Sequence, residues 1–205
     1  MKIALICGSP KKKQSASGAL LTDLQGFLHE AVEIFLHKDS VPEESLEMLR
    51  QADVWVIACP LYADGIPSHL LSCLMQLELM KKPGLLVYGI VNCGFYEGIQ
   101  AKTALQILEN WCHKANFVWG GGIGVGGGGG FSRMPDPPKA PVKQVLSKLA
   151  EKISRREVQE NVYVSIAFPR FLYKLAAQTG WRQMIKANGG QAKDLNNRPI
   201  EENPK

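Results

Sequence analysis

No apolar run in this 205-residue chain approaches the ~20 residues that a membrane-spanning helix needs. The five cysteines form no CxxC pair, and the four histidines join no His/Cys/Asp/Glu cluster with metal spacing. No metal site is therefore expected. Odd in number and widely spaced, Cys7, Cys59, Cys73, Cys93 and Cys112 read as free thiols in a reducing compartment, so a cytoplasmic location is expected. Met1-Lys2 leads straight into a strand-like segment, and no secretory leader is expected there. No Gly-Lys-Ser/Thr closes a Walker loop, and no GxSxG marks a serine-hydrolase elbow. An acidic excess is missing too, since the formal net charge is +5. The basic residues fall at Lys11–Lys13, Lys81–Lys82, Arg155–Arg156 and toward the C-terminus without interleaved aromatics. A nucleic-acid partner is not expected, and the charge mildly favours small anionic ligands.

What is present is 45% hydrophobic residues arranged in alternating patterns. Ile3–Cys7, Ala31–Leu36, Val54–Cys59, Leu85–Val91 and a segment starting at Phe117 read as strands, most of them continuous apolar runs of the doubly buried kind. Between them helical periodicity recurs over Ser17–Leu28, Pro42–Ala52, from Pro67 to the Lys81-Lys82-Pro83 stop, over 98–115, and from Val142 to Ile153. Five alternations of strand and helix predict a parallel sheet with helices on both faces. Five strands in about 155 residues suit the order 2-1-3-4-5, whose ligands bind at the carboxyl ends of the strands where the winding reverses.

Three loops fall at that edge. Gly8-Ser-Pro-Lys-Lys-Lys-Gln-Ser-Ala-Ser-Gly18 joins a strand to a helix and is rich in hydroxyls and amines. Backbone N–H groups and a helix N-terminus in such a loop make an anion site. Ser9, Ser15 and Ser17 serve equally as turn and cap residues when the loop is taken alone. Pro60-Leu-Tyr-Ala-Asp-Gly-Ile-Pro-Ser68 and Asn92-Cys-Gly-Phe-Tyr-Glu-Gly98 add aromatics and glycines that suit a flat ring. For Tyr62, Phe95 and Tyr96 the alternative is half-buried packing, and for the cysteines at these strand ends it is the role of small buried hydrophobes.

With GSP and its Ser-rich continuation, ADVWVIACPLYADGIPSHL and VNCGFYEG on one chain, the sequence resembles the NAD(P)H-dependent FMN reductases of the flavodoxin-like superfamily over about residues 1–155. The resemblance implies a flavodoxin-like three-layer sandwich with a five-stranded parallel sheet. It implies that Ser9, Lys11, Ser15, Ser17 and Gly18 hold the FMN phosphate. Pro60, Leu61, Tyr62, Ala63, Asp64 and Gly65 would take the pyrimidine side and N5 of the ring, and Asn92, Cys93, Gly94, Phe95 and Tyr96 would close the other side. NAD(P)H is the implied co-substrate, a small quinone, flavin, nitro- or azo-compound the implied acceptor, and a homodimer the implied assembly. The cysteine-rich cluster of the related iron–sulfur flavoproteins is absent. The rival readings are a flavodoxin-type electron carrier, against which the positive charge speaks, and a flavin-free module on the same fold.

Two segments stand apart. Residues 120–130 hold nine glycines in eleven positions, which reads as a flexible loop or lid after the fifth strand. Residues 156–205 read as a helical C-terminal extension to the 1–155 domain. There Phe168–Lys186 forms an amphipathic helix interrupted near Gly180, suited to packing on the protein, with a membrane surface as the less favoured partner.

Overall fold

The computed structural model describes residues 1–11, 14–133 and 135–196, so Lys12 and Lys13 of the basic loop lie outside the described residues. The chain divides into two compact units, Met1–Ala167 and the segment from Phe168 onward.

The first unit is built on strands β1 (Ile3–Cys7), β2 (Ala31–Phe35), β3 (Val54–Pro60), β4 (Leu86–Asn92), β5 (Val118–Gly126) and β6 (Val162–Ser165). All neighbours are parallel, in the order β2-β1-β3-β4-β5-β6. Helices α1 (Ala16–Gln25), α2 (Glu43–Gln51), α3 (Ser68–Leu77), α4 (Lys102–Lys114) and α5 (Asp136–Arg155) make the connections. β1, β3 and β4 are buried almost throughout, as a parallel sheet covered on both faces requires.

Side chains alternate across each strand, and the alternation sorts the helices. Ala4, Ile6, Trp55, Ile57 and Val87 share one apolar cluster with Leu49 of α2, Leu70 and Leu74 of α3, and Leu105 and Trp111 of α4. From the other face Tyr88 sends its hydroxyl to the Glu157 carbonyl, 2.8 Å away, just past α5, and α1 packs beside α5. Burial raises the Tyr88 phenol to about 12, so it stays a neutral donor. The indoles in the core are also satisfied: Trp55 Nε1 donates to Leu49 O at 3.2 Å and Trp111 Nε1 to Leu74 O at 3.0 Å. Both rings meet Phe117 edge-on, at 5.6 and 5.4 Å.

The sheet corrects two expectations. It has six strands where five were expected, because Val162–Ser165 adds parallel to β5. A four-residue, half-buried edge strand carries too little apolar pattern to stand out. The glycine run is also no flexible loop. β5 continues through it to Gly126, and residues 120–128 are buried. Close approach explains the composition. A Cβ on Gly120 would sit 2.6 Å from the Tyr88 ring, and one on Gly126 would overlap the Tyr96 carbonyl oxygen and lie 2.6 Å from Gly98 N. Glycine lets the segment after β4 lie flat on β5.

One charge acts away from its expected place. Lys82, read as a cation ending α3, instead donates to the carbonyls of Arg50, at 2.8 Å, and Ala52. It thereby caps the negative end of α2.

In the second unit α6 (Arg170–Ala187) runs uninterrupted through Gly180, and Phe171, Leu175, Trp181 and Met184 on it are exposed. Among the described residues no helix is long and apolar enough to cross a membrane.

Candidate functional site

The strand order reverses between β1 and β3, and the loops after β1, β3 and β4 gather at the carboxyl ends of those strands. In the first loop Ser15 is the N-cap of α1: its Oγ accepts from Gly18 N at 3.0 Å and its carbonyl from Ala19 N at 3.0 Å. Among the described residues the N–H groups of Ala16 and Ser17 have no acceptor. They are first-turn donors at the positive end of the helix. Ser9 is 3% exposed. Its Oγ accepts from Lys11 N at 3.3 Å, which leaves its own proton to donate. Lys11 is exposed, and Gln14 takes a left-handed turn at φ 51°.

The second loop is a tight turn. Tyr62 N donates to Gly65 O at 3.0 Å and Gly65 N returns a bond to Tyr62 O at 2.9 Å. The two central residues, Ala63 and Asp64, both have positive φ, 46° and 63°, the backbone of a type I′ turn. Their N–H groups have no acceptor among the described residues. Tyr62 beside them is 48% exposed. Asp tolerates this conformation better than Ala, which pays for its Cβ against the next carbonyl. Ala63→Gly is therefore expected to raise stability by about 0.5–1 kcal/mol, read as a higher urea midpoint with an unchanged m-value. A lowered midpoint would mean that the turn is not strained.

The third loop is bound down to the end of β5. Cys93 N donates to Val125 O at 2.9 Å, Gly127 N to Phe95 O at 2.6 Å and Gly128 N to Cys93 O at 2.8 Å. Phe95 is 56% exposed, Gly94 is exposed, and Tyr96 is half-buried.

Asn92 ties the three loops together. It is 6% exposed at the last position of β4. Its Oδ1 accepts from Ser17 Oγ at 2.7 Å, which engages the start of α1. Its carbonyl accepts from Leu61 N at 2.8 Å, which engages the β3 loop. Pro60 lies opposite it in the sheet register. Ser17, expected to donate its hydroxyl to an anion, spends that proton on Asn92. Its contribution to an anion is the backbone N–H.

The residues expected at this edge therefore divide by environment. Ser9, Ser15, Ser17, Asn92 and Cys93 are buried. Lys11, Tyr62, Ala63, Asp64, Gly94 and Phe95 are exposed. Gly18, Pro60, Leu61, Gly65 and Tyr96 lie between. The thiols are inert by environment: burial raises Cys7 and Cys93, and pushes Cys59 up to about 12. The Cys93 thiol points at the carbonyls of Phe95 and Glu97, 3.6 Å from each. Sequence reading missed the part played by Gly127 and Gly128, whose N–H groups hold the third loop.

A cavity of about 610 Å3 lies at the opposite end of the sheet, lined by Ile3, Leu28, Ala31, Met48 and Ala52 among others. There α1 and α2 present their C-terminal, negative ends.

The all-parallel 2-1-3-4-5-6 sheet, its order reversing between β1 and β3, defines a doubly wound α/β protein of the flavodoxin-like fold. The likeness rests on structure, since neither a protein-family model nor a curated protein sequence matches the chain. The Trp repressor binding protein from Bacillus subtilis superposes with a TM-score of 0.51 at 20% identity, over 59% of this chain and 81% of that one. A flavodoxin, WrbA-like protein from Agrobacterium tumefaciens gives 0.54 at 12% identity, over 76% and 98%. An NADPH-quinone reductase from P. pentosaceus gives 0.55 at 15% identity, over 75% and 97%.

Proposed function

We propose that the chain is an FMN-dependent oxidoreductase that takes a hydride from NAD(P)H and passes the electrons to a small quinone, flavin, nitro- or azo-type acceptor. The observation that carries the reading is the Asn92 junction. It sets donors of two kinds at one sheet edge that have no acceptor among the described residues: the N–H groups of Ala16 and Ser17 in the first turn of α1, and the turn N–H groups of Ala63 and Asp64. A terminal phosphate fits the former. The polar edge of a flat ring fits the latter, flanked by the exposed rings of Tyr62 and Phe95. The fold shared with a flavodoxin and an NADPH-quinone reductase supports the same ligand class.

Bound FMN would supply the hydride-accepting ring chemistry, and the chain's residues have simpler tasks. Ala16 and Ser17 hold the phosphate through their backbone, with the Ser9 hydroxyl as a further donor. Ala63 and Asp64 orient the ring edge, and Tyr62 and Phe95 shield it from water. No side chain has to act as acid or base. The formal charge of +5 favours a small anionic donor such as NAD(P)H over docking as a carrier on basic redox partners.

The test is an absorbance titration of the purified protein with FMN, followed by anaerobic NADPH or NADH. Binding, then bleaching of the long-wavelength flavin band, is the expected result. Binding without bleaching by either nucleotide would favour a carrier reduced by another protein. No binding would overturn the three-loop site.

A further inference from the structure

We infer that His37, two residues beyond the end of β2, is the positioning residue of the phosphate loop and sets how strongly that loop holds a phosphate. The inference rests on the flavin reading above. His37 Nδ1 lies 2.7 Å from the carbonyl oxygen of Ser9. A carbonyl only accepts, so Nδ1 carries the proton. The bond spans 28 residues of sequence and fixes the peptide that follows Ser9. That peptide directs the Ser9 hydroxyl and the Lys11 N–H that bonds to it.

The imidazole can act as an anchor because its own surroundings are braced. Its ring stacks on Phe35, with centroids 5.6 Å apart and planes inclined by 26°. The chain around it hangs from one face of α3. His69 Nε2 donates to Leu36 O at 3.1 Å, the Cys73 thiol to Lys38 O at 3.1 Å and Gln76 Nε2 to Asp39 O at 2.9 Å. Positions 69, 73 and 76 are spaced i, i+4, i+7, so all three project from the same side of the helix. Gln76 completes the brace by accepting from Val41 N at 3.1 Å. Leu36 N also donates to Cys7 O at 2.9 Å, which joins this segment to the base of the phosphate loop.

A series of contacts thus runs from α3 through residues 36–39 and His37 to Ser9. A loop held in its binding shape before the ligand arrives loses less conformational freedom on binding. Without the His37 bond the ordering cost falls on the phosphate, and only on ligands that have one.

The experiment compares FMN with riboflavin, which lacks the phosphate, by calorimetric titration of wild type, His37→Phe and His37→Asn. Phenylalanine keeps the ring and its stack on Phe35 but has no donor. Asparagine gives up the ring but keeps an N–H at the Nδ1 position. In His37→Phe the FMN-to-riboflavin affinity ratio is expected to fall about fivefold, the weight of one hydrogen bond, with riboflavin affinity unchanged. In His37→Asn the ratio should stay within about twofold of wild type. An unchanged ratio in His37→Phe, or equal losses in both variants, would overturn the inference while leaving the flavin site standing. A wild type that does not distinguish FMN from riboflavin would instead sink the phosphate site, and the inference with it. If His37→Phe does not fold, the wild-type protein still decides. Its His37 Nδ1 proton should appear as a slowly exchanging imidazole resonance, and rapid exchange would overturn the assignment.

Discussion

Replacing Gly126 with alanine is expected to cost roughly 3 kcal/mol or more, which for a domain of this size lowers the melting temperature by about 6–12 °C. The new Cβ would meet the Tyr96 carbonyl and the Gly98 amide. These are backbone atoms and cannot rotate away. The cost is therefore a parting of β5 from the chain after β4, with damage to the Gly127–Phe95 and Cys93–Val125 bonds. Gly180→Ala is the matched control. Among the described residues nothing beyond the helix's own neighbouring backbone lies within 4 Å of the new Cβ, and the site is a helix interior where alanine is favoured by about 0.5–1 kcal/mol. Thermal melts by circular dichroism should thus separate two Gly→Ala changes in opposite directions. Equal tolerance of both would mean that the glycines of β5 are there for flexibility after all.

Ser15→Asp is expected to keep the fold and remove FMN binding selectively. Aspartate caps a helix as well as serine does, and its charge suits the positive end of α1. The Gly18 N–H now held by the serine oxygen would pass to a carboxylate. The same carboxylate would stand close beside the first-turn N–H groups that the phosphate would take. Two like charges about 6 Å apart repel by about 3 kcal/mol at an effective dielectric of about 20, which is about a hundredfold in affinity. Titrations should show FMN weakened by about that factor, riboflavin unchanged and the melting temperature preserved. Parallel weakening of both flavins would move the phosphate away from α1.

Strands β1, β3 and β4 and the helices joining the sheet were legible because each is a compact apolar run or a clear helical stripe with its own stop, while β2 showed only a weak alternation and β5 only its start at Phe117. Ile3–Cys7 and Val54–Pro60 are buried along nearly their whole length, and such runs admit few other readings. The loops of the candidate site were legible for a related reason: their place follows from the strands they leave. The glycine run was not, since glycine has no side chain to carry a pattern. Its strand character is set by Tyr88, Tyr96, Gly98 and Gln159 packed against it, none of them local. β6 was missed for the same want of local signal. The bond from Ser17 to Asn92 spans 75 residues, and nothing near either residue announces it. His37 follows a strand end, as binding residues often do, but its hold on Ser9 needs the register between β1 and β2.

The late position of β6 has a consequence for biosynthesis. A nascent chain that has emerged as far as Arg155 has all five helices of the first unit and five of its strands, yet its newest edge is β5. That strand is rich in glycine and has its hydrogen-bonding side open from Ile123 to Gly126, where β6 will pair. Glycine strands hold their shape poorly by themselves, and open edges recruit other chains. Only when Glu157 and Val162–Ser165 emerge does Tyr88 gain its 2.8 Å acceptor and β5 its edge partner. The ribosome therefore releases this domain with its most vulnerable edge protected last, and the interval between Arg155 and Ser165 is when a nascent-chain chaperone would have most to cover.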